Sequence, residues 1–272
     1  MSELLFGPDP EWPGDGQPAY RALASYYREK ITSGALPDGA KLPSQHQMVE
    51  QHGLSPITIK AALRQLADEG LVKSHRGKGQ FVRRAPRIER IRPQGYINPD
   101  GRMTYYREAQ AAGCEAVAEH ETVTMPASAA VAQLLDLDEG DEVTATSYLI
   151  RMDGQPHSMS VSYEPLALTG GTEIEDPHAG PVGGSGLVNR FRHIGLALVE
   201  IEERLSIRPP KNNEAQTLAI PAQVQIVEVT QIARAVTMSE TFQAGPAPRP
   251  VEASVIVFPS DRVQFVYRLP IK

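Results

Sequence analysis

The sequence predicts two units in series. The first is a small head of three helices and a basic hairpin. The second is a larger α+β body with helices packed on a mostly antiparallel sheet. Three observations predict this. Residues 42–82 hold two capped helical segments followed by a Gly-rich hairpin. Residues 17–92 carry 14 Lys/Arg against 6 Asp/Glu, whereas residues 93–272 carry 13 against 23. Residues 132–137 are echoed by residues 215–220, and β-rich runs follow each copy. A chain of 272 residues fits two domains with a full core in the larger one. The boundaries expected are a tail at 1–16, a head at 17–83, a linker at 84–93 and a body at 94–272.

The tail is rich in Pro, Gly and acids and carries the lone Trp12. Residues 18–33 predict a helix with Tyr20, Leu23, Ala24, Tyr27 and Ile31 on one face. Ser44 is a good N-cap for a second helix, and Gln47 completes a capping box. Gly53 tolerates the left-handed conformation that ends such a helix. Ser55 caps a third helix, with Pro56 at the first position, where a missing N–H costs nothing. Ile59, Leu63 and Leu66 form its buried stripe, and Gly70 stops it. Leu71–Ser74 and Gln80–Val82 are expected to pair around the basic tip His75-Arg76-Gly77-Lys78-Gly79. Taken singly, these features are ordinary helical hairpins and solvated turns. Their order, spacing and positive charge together predict a winged helix-turn-helix that reads double-stranded DNA. The arginine-rich linker, stiffened by two prolines, is expected to stay near phosphate.

In the body, the echo pairs Val143 with Ile226 and Arg151 with Arg234 at one offset of 83 residues. Each copy reads as a helix, a strand (Val143–Arg151; Gln225–Arg234) and a second strand (His157–Tyr163; Val251–Phe258). Asp153-Gly154 favours a tight hairpin in the first copy. Val263–Leu269 alternates as a last strand. Cys114 is the only cysteine, so no internal disulfide or multi-Cys metal site is possible. His120, His157, His178 and His193 form no ligand spacing, and no nucleophile–base pair stands out. No catalytic residue, metal or cofactor is therefore expected. No run of 18 apolar residues and no signal pattern is present, so the expected setting is the cytoplasm, at the nucleoid.

From Tyr20 to Val82 the sequence resembles the GntR family of bacterial transcription regulators. The matching residues include Gly34, Leu36, Gly39, Leu42-Pro43-Ser44, Thr58, Ala62-Leu63, Leu66, Glu69-Gly70-Leu71, Gly77, Gly79 and Phe81-Val82. Three usual arginines are replaced, by His46, Pro56 and Lys60, which implies an uncommon base-reading code. The body resembles the UTRA effector domain of the HutC subgroup. The resemblance rests on Thr104 to Gly113, the run at 132–140, Asp153-Gly154-Gln155-Pro156, Tyr163 with Pro165, Glu214-Ala215 with Leu218, Pro250-Val251-Glu252 and Asp261-Arg262. It implies a chorismate-lyase-like fold and a homodimer whose body binds a small molecule. In UTRA domains that bind sugar phosphates, two arginines before D-G grip the phosphate. Here those positions are Tyr148 and Ile150. A nearby acceptor Glu falls on Ser160, and the family's later Glu is kept as Glu252. An aromatic hydroxyl is replaced by Phe258, and Thr104 keeps a Ser-like position. The pocket expected from this is apolar and aromatic. Its effector, contacted by Thr104, Tyr148, Ser160, Glu252 and Phe258, should be less polar than a sugar phosphate, with at most one anionic group.

The function expected is a ligand-controlled regulator, a repressor released from an inverted-repeat operator. Ser44, His46, Lys60, Arg64, Arg76 and Lys78 are the expected phosphate partners, with Ser55 capping the recognition helix and Gly77 turning the wing. Gln45 and Thr58 are the expected base-edge readers. Two alternatives stay open at this point: a ligand-blind regulator, for example of plasmid transfer genes, and an enzyme built on the lyase-like body.

Overall fold

The computed structural model of the chain describes residues 18–75, 77–83, 88–92, 101–221, 223–240 and 247–268. The chain divides into two compact units, Met1–Pro86 with Ile220–Val224, and Arg87–Ala219 with Gln225–Lys272. In the first unit, α1 (Ala19–Thr32), α2 (Gln45–His52) and α3 (Pro56–Asp68) precede the strands β1 (Val72–His75) and β2 (Gly79–Val82). Ser44 closes the capping box with Gln47, and Gly53 takes φ 63° at the end of α2. Ser55 accepts the Thr58 amide at the start of α3, with Pro56 next to it.

The core of this unit is apolar and continuous. It joins Leu23, Tyr27 and Ile31 of α1 to Met48 of α2, Ile59, Leu63 and Leu66 of α3, and Val72 and Val82 of the hairpin. Two polar contacts fix the helices. The Tyr27 hydroxyl lies 3.0 Å from His52 Nε2, and Arg28 grips Glu69 with two bonds of 2.7 and 2.6 Å. Ahead of α2, Gly39 and Leu42 donate backbone amides to Val82 and Gln80, so this stretch lies against the outer side of the hairpin.

The second unit contains β3 (Ile88–Arg92), α4 (Thr104–Ala112), β4 (Ala116–Pro126), α5 (Ala129–Leu135), β5 (Glu142–Met152), β6 (Gln155–Pro165) and α6 (Leu166–Thr169). It continues through α7 (Leu187–His193), β7 (Leu196–Arg208), α8 (Asn212–Thr217), β8 (Ile226–Thr237), β9 (Arg249–Pro259) and β10 (Val263–Tyr267). Six strands form one antiparallel sheet in the order β4-β5-β6-β9-β8-β7. That order reads outward from a centre as two mirrored halves. Asp153 and Gly154, with φ 47° and 74°, make the two-residue hairpin between β5 and β6.

The sequence echo extends beyond the two short helices, from α4 to β5 in the first copy and from α7 to β8 in the second. At the same offset, the start of α4 at Thr104 corresponds to the start of α7 at Leu187. Asp136 and Ala219 correspond, and both hold left-handed backbone (φ 53° and 49°) although neither is glycine. The bulge after Ile150 in β5 corresponds to the bulge after Ala233 in β8. Arg102 and its counterpart Ser185 are bridged to each other. An extra β-residue and a strained turn at matching places are costly to build twice by chance. The unit is a duplicated helix–strand–helix–hairpin folded about a pseudo-twofold axis between β6 and β9.

The linker expected at 84–93 is corrected over its described part. Ile88–Arg92 is a strand, paired in parallel with β10. Ile88 is buried with Ala109, Ile150 and Met152. Arg90 and Arg92 are also buried. Arg90 donates to Glu108 at 3.2 Å, and Arg92 donates to Glu203 at 3.1 Å. These arginines therefore serve the second unit's interior, not phosphate. The sequence missed this because both carboxylates come from distant elements. Residues 84–87 and 93, the tail with Trp12, and Leu269 lie outside the described residues.

Candidate nucleic-acid interface and ligand cavity

On α3, the buried stripe of Ile59, Ala62, Leu63 and Leu66 leaves Ile57, Lys60 and Arg64 on the outer face. Arg64 lies 4.0 Å from Asp68, and both side chains are largely exposed. Such a pair is weak in water and is easily exchanged for a phosphate. At the start of α2, Ser44 and Gln45 are exposed, and His46 meets Glu50 at 3.4 Å. In the hairpin, Gly77 and Gly79 hold φ 73° and 111°, and the Lys78 side chain is exposed. Arg76 lies outside the described residues. Thr58 is half-buried, and its hydroxyl sits 2.8 Å from that of Ser55. Its hydroxyl therefore helps to start α3.

In the second unit a cavity of about 180 Å³ lies over the pseudo-twofold axis. Its floor is Ser158, Ser160 and Ser162 of β6 with Glu252, Ser254 and Ile256 of β9. Tyr148 and Ile150 of β5 flank one side, and Gln231 of β8, the counterpart of Tyr148, flanks the other. The starts of α4 and α7 complete the lining, with Thr104 and Tyr105 from one and Leu187 to Arg190 from the other. Strand register sets Tyr148 beside Ser160, and Ser160 beside Ile256. One row lower, Ser162 neighbours Ser254, and Ser254 neighbours Gln231.

Of the residues expected from sequence, Thr104, Tyr148, Ser160 and Glu252 line this cavity. Phe258 does not. Strand alternation puts it on the face of Glu252 and Ile256, but the Arg90 guanidinium lies over its ring at 4.6 Å. Phe258 is fully buried beside Val229 and Val263. The lining joins the expected apolar and aromatic side chains (Tyr105, Tyr148, Ile150, Leu187, Ile256) to polar ones that the sequence reading did not name. Arg90, Arg102 and Arg190 are among the lining, with five serines at 158, 160, 162, 185 and 254. Arg190 makes two bonds to the buried Glu164, at 2.7 and 3.0 Å, and a third to the Ile174 carbonyl at 2.6 Å. Arg90 is matched by Glu108. The cavity thus has guanidinium groups, two of which are held in ion pairs. No motif marks Arg90 or Arg190, whereas Gln231 stands at the 83-residue echo of Tyr148, the one sequence signal that could have found it.

Glu252 is the cavity's titratable centre. Burial pushes its carboxyl up to about 7, against the opposing bond from Ser162 at 2.7 Å. A raised acid keeps its proton longer in the folded state. Its contribution is therefore complete at low pH and is lost as pH rises from about 4.5 to about 7. Glu252→Gln is expected to flatten that decline and to stabilise the protein at pH 8 by up to about 3 kcal/mol. Urea unfolding at pH 5 and pH 8 checks this. An unchanged pH dependence would refute it.

His120 and His178 stack at 3.5 Å between ring centroids, and the His178 ring lies 5.5 Å from Tyr148. Burial, then His120, lowers the His178 pKa. Among the described residues no group of three or more His, Cys, Asp or Glu is placed to hold a metal. None of the helices described is long and apolar enough to cross a membrane.

A basic winged helix-turn-helix joined to a small-molecule-sized cavity defines a bacterial regulator of the two-domain kind. The bacterial regulatory proteins of the gntR family match residues 19–82, and the UTRA domain matches residues 117–264. The chain belongs to the GntR family and carries a UTRA domain. It is 32% identical over 227 residues to an uncharacterized HTH-type transcriptional regulator of Streptomyces coelicolor, covering 80% of this chain and 84% of that protein. It is 30% identical over 148 residues to the histidine utilization repressor of Klebsiella aerogenes, covering 54% of this chain and 53% of that one. Among solved structures, a GntR-family transcriptional regulator superposes with a TM-score of 0.62 at 33% identity, covering 94% of this chain and 99% of the other. PhnF from Mycobacterium smegmatis shares the fold, with a TM-score of 0.56 at 19% identity over 92% of this chain and 99% of that one.

Proposed function

We propose that the protein is a repressor that holds an inverted-repeat DNA operator as a homodimer and releases it when a small molecule fills the cavity. The observation that carries this reading is the pairing of two features in one chain. One is an outward helix face with Lys60 and Arg64. The other is a hydroxyl-rich cavity over the axis of the body. The relative named as a histidine utilization repressor supports repression as the direction of control. In the dimer, two copies of α3 enter successive major grooves about 34 Å apart. Ser44, His46, Lys60, Arg64, Arg76 and Lys78 meet phosphates and set register, and Gln45 meets a base edge. An effector acts only through its difference in affinity between two arrangements of the heads.

The effector class follows from charge. Arg90 and Arg190 are already matched by Glu108 and Glu164. The third lining guanidinium, Arg102, is exposed, so a dianion seated deeper in the cavity would have to break one of these pairs and leave a buried carboxylate alone, at a cost of about 3–5 kcal/mol. The effector is therefore neutral or carries one negative charge, and it hydrogen-bonds to the serines, Thr104 and Glu252. To test this, an operator is first selected from random duplex DNA, and footprinting should show two inverted half-sites. Calorimetry and operator release are then measured against sugar phosphates, their unphosphorylated sugars, and small organic acids and lactones. Release by a member of the uncharged or singly charged set is expected. Tight, operator-releasing binding of a sugar phosphate would overturn the effector class.

A further inference from the structure

We propose that Ile57 reads the 5-methyl group of a thymine in each operator half-site. The inference rests on the DNA-binding reading above and names a specificity residue within it. Ile57 is 82% exposed, more than any other large apolar side chain among the described residues. A single exposed apolar residue is common on protein surfaces and by itself means little. Its position gives it meaning. It stands at the second residue of α3, directly after Pro56, on the N-terminal turn. In a helix-turn-helix that turn is the part of the recognition helix that meets base edges.

Helical spacing puts Ile57 in line with Lys60 and Arg64, three and seven residues on, and all three are exposed. The core uses the other side of the helix, through Ile59, Ala62, Leu63 and Leu66. Ile57 therefore heads the one face of α3 that carries cations and has no protein partner in the core. Cations on that face are complementary to phosphate, so DNA is the occupant the charge selects. Helix propensity does not account for Ile57, because isoleucine is a weaker helix former than alanine, leucine or lysine.

In the major groove, only thymine offers an apolar group, its C5 methyl. Every other edge offers donors or acceptors, which an isoleucine would cover without replacing their hydrogen bonds to water. Isoleucine is also stiff at its first side-chain torsion, so little freedom is lost on contact. Thr58, the neighbouring candidate, has its hydroxyl engaged by Ser55 at 2.8 Å and is half-buried. Ile57 projects beyond it.

The test uses the full-length protein. Binding sites are enriched from random duplex DNA with wild type, Ile57→Ala and Lys60→Ala. The best wild-type site is then remade with deoxyuridine in place of single thymines, which removes only the methyl group. Wild type should enrich a thymine at one fixed position per half-site. It should lose about fourfold affinity when that thymine becomes deoxyuridine in one half-site, the worth of one buried methyl-sized group. Ile57→Ala should select no base at that position and should bind the thymine and deoxyuridine sites equally. Its salt dependence should match wild type, whereas that of Lys60→Ala should be shallower. A deoxyuridine penalty that persists in Ile57→Ala, or a wild-type site with no such thymine, would overturn this proposal and leave the DNA-binding reading intact. Failure of wild type to enrich any sequence would overturn both.

Discussion

Replacing Arg190 by alanine is expected to destabilise the second unit by about 3–5 kcal/mol, a large share of what keeps a domain folded. Arg190 and Glu164 are each about 4% exposed and joined by two hydrogen bonds, and Arg190 also satisfies the Ile174 carbonyl. Truncation would leave a carboxylate buried without a partner, beside a carbonyl that has lost its donor. Removing both charges should be far milder, because the cost comes from the unpaired charge. The double variant Arg190→Met with Glu164→Gln is therefore expected to recover most of the loss. Two-unit chains need not unfold in one step, so the measurement should resolve the body from the head. Hydrogen exchange of α7 and β6 does so. Equal loss in the single and double variants would show that packing around α7, and not the ion pair, sets the stability.

The second large effect is on DNA affinity. Lys60→Ala and Lys78→Ala are each expected to make the slope of log K against log salt shallower by about one unit, and by about two together. The loss should be the same in proportion for the selected operator and for random DNA, because phosphate contacts carry no sequence information. Both side chains are exposed, so the circular dichroism spectrum and the Tm should not change. A double variant with the wild-type slope would remove α3 and the hairpin from the DNA interface.

The head was legible in the sequence because its determinants are local. Ser44 with Gln47, and Ser55 with Thr58, lie three residues apart. The stripe on α3 lies within a few turns of one helix. Every group that fixes such a segment lies within it. The structure adds that the Thr58 hydroxyl lies 2.8 Å from that of Ser55, at the start of its own helix.

In the body, the sequence by itself determined the duplicated helices and the β5–β6 hairpin turned by Asp153-Gly154, and its resemblance to UTRA domains pointed to four of the lining residues, Thr104, Tyr148, Ser160 and Glu252. It did not show β4 or β7. These are the two edges of the sheet, and their mixed burial erases the alternation that marks a half-buried strand. Only the tertiary structure decided the rest. The pseudo-twofold axis set Gln231 opposite Tyr148. The parallel pairing of β3 with β10 turned an apparent basic linker into an interior strand. That pairing also laid Arg90 over Phe258, which removed Phe258 from the cavity and put a guanidinium in its place. Turns and caps are satisfied by neighbours in the chain, whereas buried charges must find partners wherever the fold brings them. Arg90 found Glu108, Arg92 found Glu203 and Arg190 found Glu164 across 18, 111 and 26 residues.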